Sequence, residues 1–162
     1  MSSIVEIAQA IQDSLVGTAI AESTVVFPLI EAVHLLGLAL SVGLLLIVDL
    51  RLLGLVLPTV PVATVHHQLR RWIFAGFTLT FVSGVLLFWA EAGQVIVNYA
   101  FIAHAIFILL GVANAAFFEV RLAPGAAQWK DKLPTAARLV GGASLSAWFL
   151  VLVSGRLIPY LA

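Results

Sequence analysis

Two histidines stand in stretches whose composition should exclude them. His34 lies within STVVFPLIEAVHLLGLALSVGLLLIVDLR (23–51) and His104 within YAFIAHAIF (99–107). An ionisable side chain inside an apolar run of membrane length is costly and by default marks a site. Glu31 precedes His34 by three residues, so the two share one helix face, and Gly37 lies one turn deeper on that side. The iron of a b-type haem takes two neutral imidazoles, one from each side. Haem b, one per chain, with His34 and His104 as its axial ligands, is therefore the expected cofactor. Glu31 would tune or orient the site. Gly37, and Gly111 two turns beyond His104, would leave room for the flat macrocycle, and Arg156 would neutralise a propionate.

Other chemistry fits the same residues. A mononuclear copper or zinc site could use Glu31, His34 and His104, since imidazole suits both metals. Glu31-Ala-Val-His34 is also the Glu-x-x-His element that di-iron bundles use twice, but it occurs once here. In the plainest reading, each histidine hydrogen-bonds a neighbour such as Glu31 or Asn114 and glues helices together. His66 and His67 point about 100° apart on one helix and cannot bind one iron together. They read as a solvated pair beside Gln68, Arg70 and Arg71. Asp49, next to Arg51, reads as the hub of an ion-pair cluster with Arg70 and Arg71, with a proton relay as the lesser alternative, and Asn114 as a bond to a neighbouring helix. No catalytic residue is assigned. With no cysteine, thiolate metal sites, disulfides and the attachment of a c-type haem are excluded. No phosphate loop, nucleophile triad or nucleic-acid signature is present, so no nucleic-acid partner is expected.

The elements that must position these residues follow from composition. Hydrophobic residues make up 62% of the 162 and charged residues only 10%, more apolar surface than a soluble domain of this size can hide. The expected fold is all-α: an integral membrane up-down four-helix bundle forming one domain over residues 1–162. Spans are expected at about 24–48, 63–90, 97–118 and 137–157, each close to the roughly 20 residues that cross a bilayer. Residues 3–20 place Ile4, Ile7, Ala8, Ile11, Leu15 and Ala19 on one stripe. They predict an N-terminal amphipathic helix on the outer surface, docked on the protein over the outer mouth of the bundle. Leu57–Pro61 and Glu91–Asn98 read as turns, and Ala123–Pro134 as the one long loop. Glycines, alanines and serines in every span suit close helix contact, and no internal repeat is read from the chain. Arg51, Arg70, Arg71, Arg121, Lys130, Lys132 and Arg138 fall on one side of the spans and Arg156 on the other. The positive-inside rule then puts both termini outside, in the periplasm of a bacterium whose inner membrane holds the chain. The start does not read as a cleaved signal peptide.

The patches Glu31-x-x-His34-x-x-Gly37, Asp49-Leu50-Arg51-Leu52-Leu53-Gly54, Arg71-Trp72, Gly76-Phe77, Ser83-Gly84-x-Leu86-Leu87-Phe88 and Asn114-Ala115-x-x-Phe118 resemble a family of small bacterial four-helix membrane proteins. That family carries only a domain-of-unknown-function label. The resemblance implies a fold and a membrane location, and no activity. More loosely, a four-helix bundle with intramembrane histidines is similar to the bacterial di-haem cytochromes b. This chain departs from them in lacking a second ligand pair on separate helices at its other end.

The function expected on these grounds is single-electron transfer by a membrane b-type cytochrome, among quinol, a periplasmic redox carrier or a small oxidant. The alternatives are a non-enzymatic oligomeric scaffold or subunit, and a transporter or channel with Glu31 and His34 along its path. No broken-helix pair supports a secondary transporter. A homo-oligomer is expected.

Overall fold

The computed structural model describes residues 2–129 and 133–161. The described chain is all-α. Two short helices, α1 (Ser2–Gln12) and α2 (Leu15–Ala21), precede four long ones: α3 (Val26–Leu53), α4 (Val62–Val95), α5 (Tyr99–Phe117) and α6 (Thr135–Leu157). A π turn (Phe118–Leu122) and a 3-10 turn (Ala123–Gln128) prolong α5, and a 3-10 turn (Ile158–Tyr160) follows α6. Four of these segments are long and apolar enough to cross a membrane.

Local chemistry explains the boundaries. The Ser23 hydroxyl accepts from the Val26 amide (3.0 Å) at the start of α3. Gly54 ends that helix in the left-handed region (φ 80°), and the amides of Gly54 and Leu55 return to the carbonyls of Arg51 and Leu50. Asn98 caps α5 by accepting from the amides of Ala100 and Phe101. The expected turn at Glu91–Asn98 is shorter in fact. Helix α4 continues to Val95, bent at Glu91 (φ −127°, ψ 17°). Half of the expected loop is the 3-10 turn, and Lys130 and Lys132 lie outside the described residues.

The long helices pair by close backbone approach. A Cβ added at Gly76 would lie 2.6 Å from the Ser41 amide nitrogen, and one added at Gly37 would lie 2.9 Å from the Thr80 amide nitrogen. Thus α3 and α4 meet almost backbone to backbone. Gly141 does the same for α6 on α3: its Cβ would lie 2.9 Å from that of Leu52 and 3.1 Å from the Asp49 carbonyl oxygen. Helix α5 packs along α6. Helices α4 and α5 instead face each other across a wider seam bridged by side chains, such as the stacked rings of Phe88 and Phe101 (5.4 Å). Helices α3 and α5 both pack on α6, and neither packs extensively on the other. The apolar core, with Val48, Leu52, Val65, Phe118 and Val140, sits toward the end bearing Arg51, Arg70, Arg71, Arg121 and Arg138, here called the basic end. The chain termini mark the other.

The N-terminal segment differs from expectation. It is two helices broken at Asp13–Ser14, and it docks through its polar groups. The Gln12 side chain accepts from the Gly93 amide (3.0 Å), and Trp89 Nε1 donates to the Ser14 hydroxyl (2.9 Å). Most of the apolar stripe faces away from the protein, with Ile4 at 61% exposure and Leu15 at 92%. Both helices pack on α4 rather than across the mouth of the bundle. Two hydrogen bonds to the end of α4 and the buried Ala8 (3% exposed) hold the segment, while Ile4, Ile7, Leu15 and Ala19 stay exposed.

The glycine contacts make a stability prediction. Gly76→Leu is expected to cost more than about 2 kcal/mol by overpacking against a neighbouring backbone, read as a lower thermal midpoint in detergent. Gly43→Leu, with no atom within 4 Å of the added carbon, should leave that midpoint unchanged.

Candidate functional site

His34 stands about 12 Å into α3 and His104 about 8 Å into α5, counting 1.5 Å per residue from each helix start near the terminal end. Each ring rests on a glycine of the helix that follows its own. A Cβ at Gly84 would lie 3.1 Å from His34 Cε1, and one at Gly155 would lie 2.9 Å from His104 Cε1. A larger residue at either position would push the imidazole aside.

Hydrogen bonding fixes both rings in the same form. His104 Nδ1 lies 2.9 Å from the Val151 carbonyl oxygen, which can only accept, so Nδ1 carries the proton. His34 Nδ1 lies 3.0 Å from the Ser83 hydroxyl oxygen. The single Ser83 proton is committed to the Leu79 carbonyl at 2.7 Å, so here too the imidazole donates from Nδ1. Both Nε2 atoms consequently hold free lone pairs, with no hydrogen-bond partner among the described residues. Metal-ligating histidines are held in this way, one ring nitrogen anchored and the other basic. Along the helices the stacked rings of Phe88 and Phe101 lie toward the terminal end of the histidines, and the tilted pair Phe77–Trp148 (4.6 Å) lies toward the basic end.

Other expected site residues are placed differently. Glu31 is exposed and makes no bond to His34; it faces Glu91 across the α3–α4 contact. Among the described residues no three His, Asp or Glu side chains gather as a metal cluster. Gly37 and Gly111, expected to leave room for a macrocycle, are both filled: Gly37 by Thr80, and Gly111 by the Trp148 indole, which an added Cβ would meet at 3.0 Å. Arg156 is exposed and bonds the Tyr160 hydroxyl (2.5 Å). Neither Glu31 nor Asn114 glues a histidine; Asn114 instead bonds the Val140 carbonyl of α6 (3.1 Å), as expected of a helix tie.

The ion-pair hub is Glu119, not Asp49. His66 Nε2 (2.9 Å) and Arg70 Nε (3.0 Å) both reach the Glu119 carboxylate. His66 is half-buried against Phe118 while His67 is exposed, so they are not a solvated pair. Arg51 turns away from Asp49 and donates to the carbonyls of Val60 (2.7 Å) and Pro58, clasping the α3–α4 turn.

Val151 and Gly155 are not marked by the sequence reading, and Ser83 and Gly84 enter it only through the family resemblance and as small residues for packing, although a signal was present. Val82-Ser83-Gly84 recurs as Val153-Ser154-Gly155, His34 as His104, and Asp49-Leu50-Arg51-Leu52 as Glu119-Val120-Arg121-Leu122, each 70 or 71 positions later. The hairpins α3–α4 and α5–α6 thus repeat one motif, a histidine seated on the glycine of the next helix. Phe77 and Trp148, 71 positions apart, are the pair that meets in the middle. The repeat is parallel, and the two imidazoles stand at equivalent places in its halves.

The family model described as a family of unknown function, DUF6644, matches residues 8–161. The chain belongs to this family. No curated protein and no solved structure matches the DUF6644 chain, so its chemistry rests on its own residues.

The tautomer assignment can be checked directly. Nitrogen NMR of the chain labelled at histidine and free of bound groups is expected to show His34 and His104 with Nδ1 protonated, and Ser83→Ala should alter His34 alone. An Nε2–H signal from either ring would contradict the assignment.

Proposed function

We propose that this DUF6644 protein is an integral membrane b-type cytochrome that holds one haem b between His34 and His104 and passes single electrons. The observation that carries the reading is the matched pair of anchored imidazoles. Each donates from Nδ1 to its own hairpin and keeps Nε2 free, and they come from different hairpins. Two such nitrogens are the donor set a six-coordinate haem takes. Bound there, the haem would supply one-electron redox chemistry at iron.

The chain's own part is ligation, orientation and burial. Ser83 and the Val151 carbonyl hold the ring planes and raise the basicity of Nε2. The Phe88–Phe101 pair lies toward the terminal end of the site. Gly37 and Gly111 provide no space, and the α4–α5 seam is the least closed side of the site. Arg156 stands near the terminal end, where it could leave Tyr160 for a propionate. The redox partners fitting this reading are quinol and a periplasmic carrier.

Lipid exposure supports insertion. Leu35 (63%), Leu109 (69%) and Phe149 (64%) are bare on the outside of three different helices, and such surface is covered by lipid or by further copies of the chain. Five described arginines at the basic end against Arg156 at the other support a reading with that end in the cytoplasm and the termini in the periplasm of a bacterial inner membrane.

Absorption spectra and metal analysis of the detergent-purified chain from haem-replete cells test this. A Soret band that shifts on reduction is expected in the wild type and should be lost in His34→Ala and His104→Ala. Ser83→Ala should keep the band with about 10–100-fold weaker affinity. Stoichiometric copper or zinc without a Soret band would favour a mononuclear metal site. A colourless, metal-free wild type, with both histidine variants losing stability only, would leave a non-enzymatic homo-oligomeric scaffold.

A further inference from the structure

Asp49 is the buried acid that the haem reading does not use. It is 3% exposed in α3, 15 residues beyond His34 and so roughly 22 Å along the helix. Its counterpart in the second hairpin, Glu119, is held by His66 and Arg70 of α4. The positions on α6 equivalent to those two, 71 further on, are Ala137 and Gly141. The repeat has kept the acid and removed both of its cationic partners. Among the described residues Asp49 makes no ion pair.

Asp49 instead lines a cavity of about 80 Å³ among the four long helices, whose wall is mostly apolar and carries Ser144, Asn114, His66, Arg70 and Glu119 as its other polar groups. At roughly 30 Å³ per water it has room for about two, which those polar groups could bond. The Asn114 amide nitrogen is committed to Val140, so its carbonyl oxygen remains to accept from water. The charged groups facing the cavity are His66 and Arg70 from α4 and Glu119 from the turn after α5; α6 contributes Ser144 and no charge. His66, Arg70 and Glu119 form its rim toward the basic end. An acid within a span, making no ion pair and bordering a cavity whose apolar wall carries a few polar groups, has the surroundings of a proton carrier rather than of a structural ion pair.

We propose that Asp49 is a proton-exchange site, loaded from the basic end through the water-holding cavity rimmed by His66, Arg70 and Glu119. The site stands whether or not any group is bound at His34 and His104, and the ligand it takes is the proton.

Carbodiimide labelling of the full chain in phosphatidylcholine vesicles, read by mass spectrometry, tests it, because dicyclohexylcarbodiimide modifies protonated carboxyls in apolar surroundings. Labelling is expected at Asp49 and not at the ion-paired Glu119, decreasing about tenfold for each pH unit above its midpoint. In the infrared, the carboxyl stretch lost in Asp49→Asn should shift when the wild type is moved into deuterium oxide. Glu119→Gln, which leaves Asp49 in place, should slow that exchange several-fold, and it keeps the test available if Asp49→Asn does not fold. No labelling at any pH, or a stretch that never exchanges, would overturn the proposal. Sodium that suppresses labelling at fixed pH would make the site one for a metal cation and overturn the proton assignment.

Discussion

An imidazole packed among apolar helices needs two things at once: a flat place to lie and an acceptor for its one N–H. The close approach of helices within each hairpin supplies both. Where Gly84 and Gly155 remove a side chain, the ring fits against the next helix, and the acceptor is already there, as the Ser83 hydroxyl in one hairpin and the Val151 carbonyl in the other. An unmet donor in such surroundings costs about 1–3 kcal/mol, so the tautomer is dictated by packing. The other ring nitrogen is then left basic and without a hydrogen-bond partner among the described residues. Every functional inference about the pair depends on that one consequence.

The two hairpins repeat one motif but do not associate symmetrically, and the difference traces to a single pair of equivalent positions. Gly141 lets α6 come against α3 with its missing side chain 2.9 Å from Leu52 Cβ. Arg70 stands at the equivalent place on α4, and its guanidinium, extended toward Glu119, cannot be compressed in that way. The α3–α6 seam is closed and the α4–α5 seam is held open by charged and aromatic side chains. Together with Ala137 in the place equivalent to His66, this exchange leaves Asp49 without the partners that Glu119 has, so two substitutions in the repeat account for the closed seam, the open seam and the lone acid. Trp148, 5% exposed and with its indole N–H unpartnered among the described residues, fills the middle between the histidines and that acid.

The four long apolar helices, a histidine in each of two of them at similar depth, and the tie from Asn114 to another helix were legible in the residues. They depend on period, length and composition, which are local properties. The roles of individual polar groups were not. Asp49 and Arg51, two apart in sequence, look like ion-pair neighbours, yet a helix turns them to different sides, and Arg51 spends its donors on the carbonyls of Val60 and Pro58. Gly37 and Gly111 look like space near a histidine, but in a packed interior a missing side chain is filled at once, by Thr80 and by the Trp148 ring. The paired Val-Ser-Gly triplets carried the answer to where the imidazoles lie, and they were hidden by the dissimilar residues around them.

By itself the sequence determined that the chain is helical, that four segments are long and apolar enough to cross a bilayer, and that histidines interrupt two of them. Tertiary structure alone decided which atom each histidine presents and which acid is left without a cation. The physical reason is range. Helix formation and hydropathy are set within a few turns of chain, whereas a hydrogen-bond acceptor 47 or 49 residues away is chosen only when packing brings it alongside.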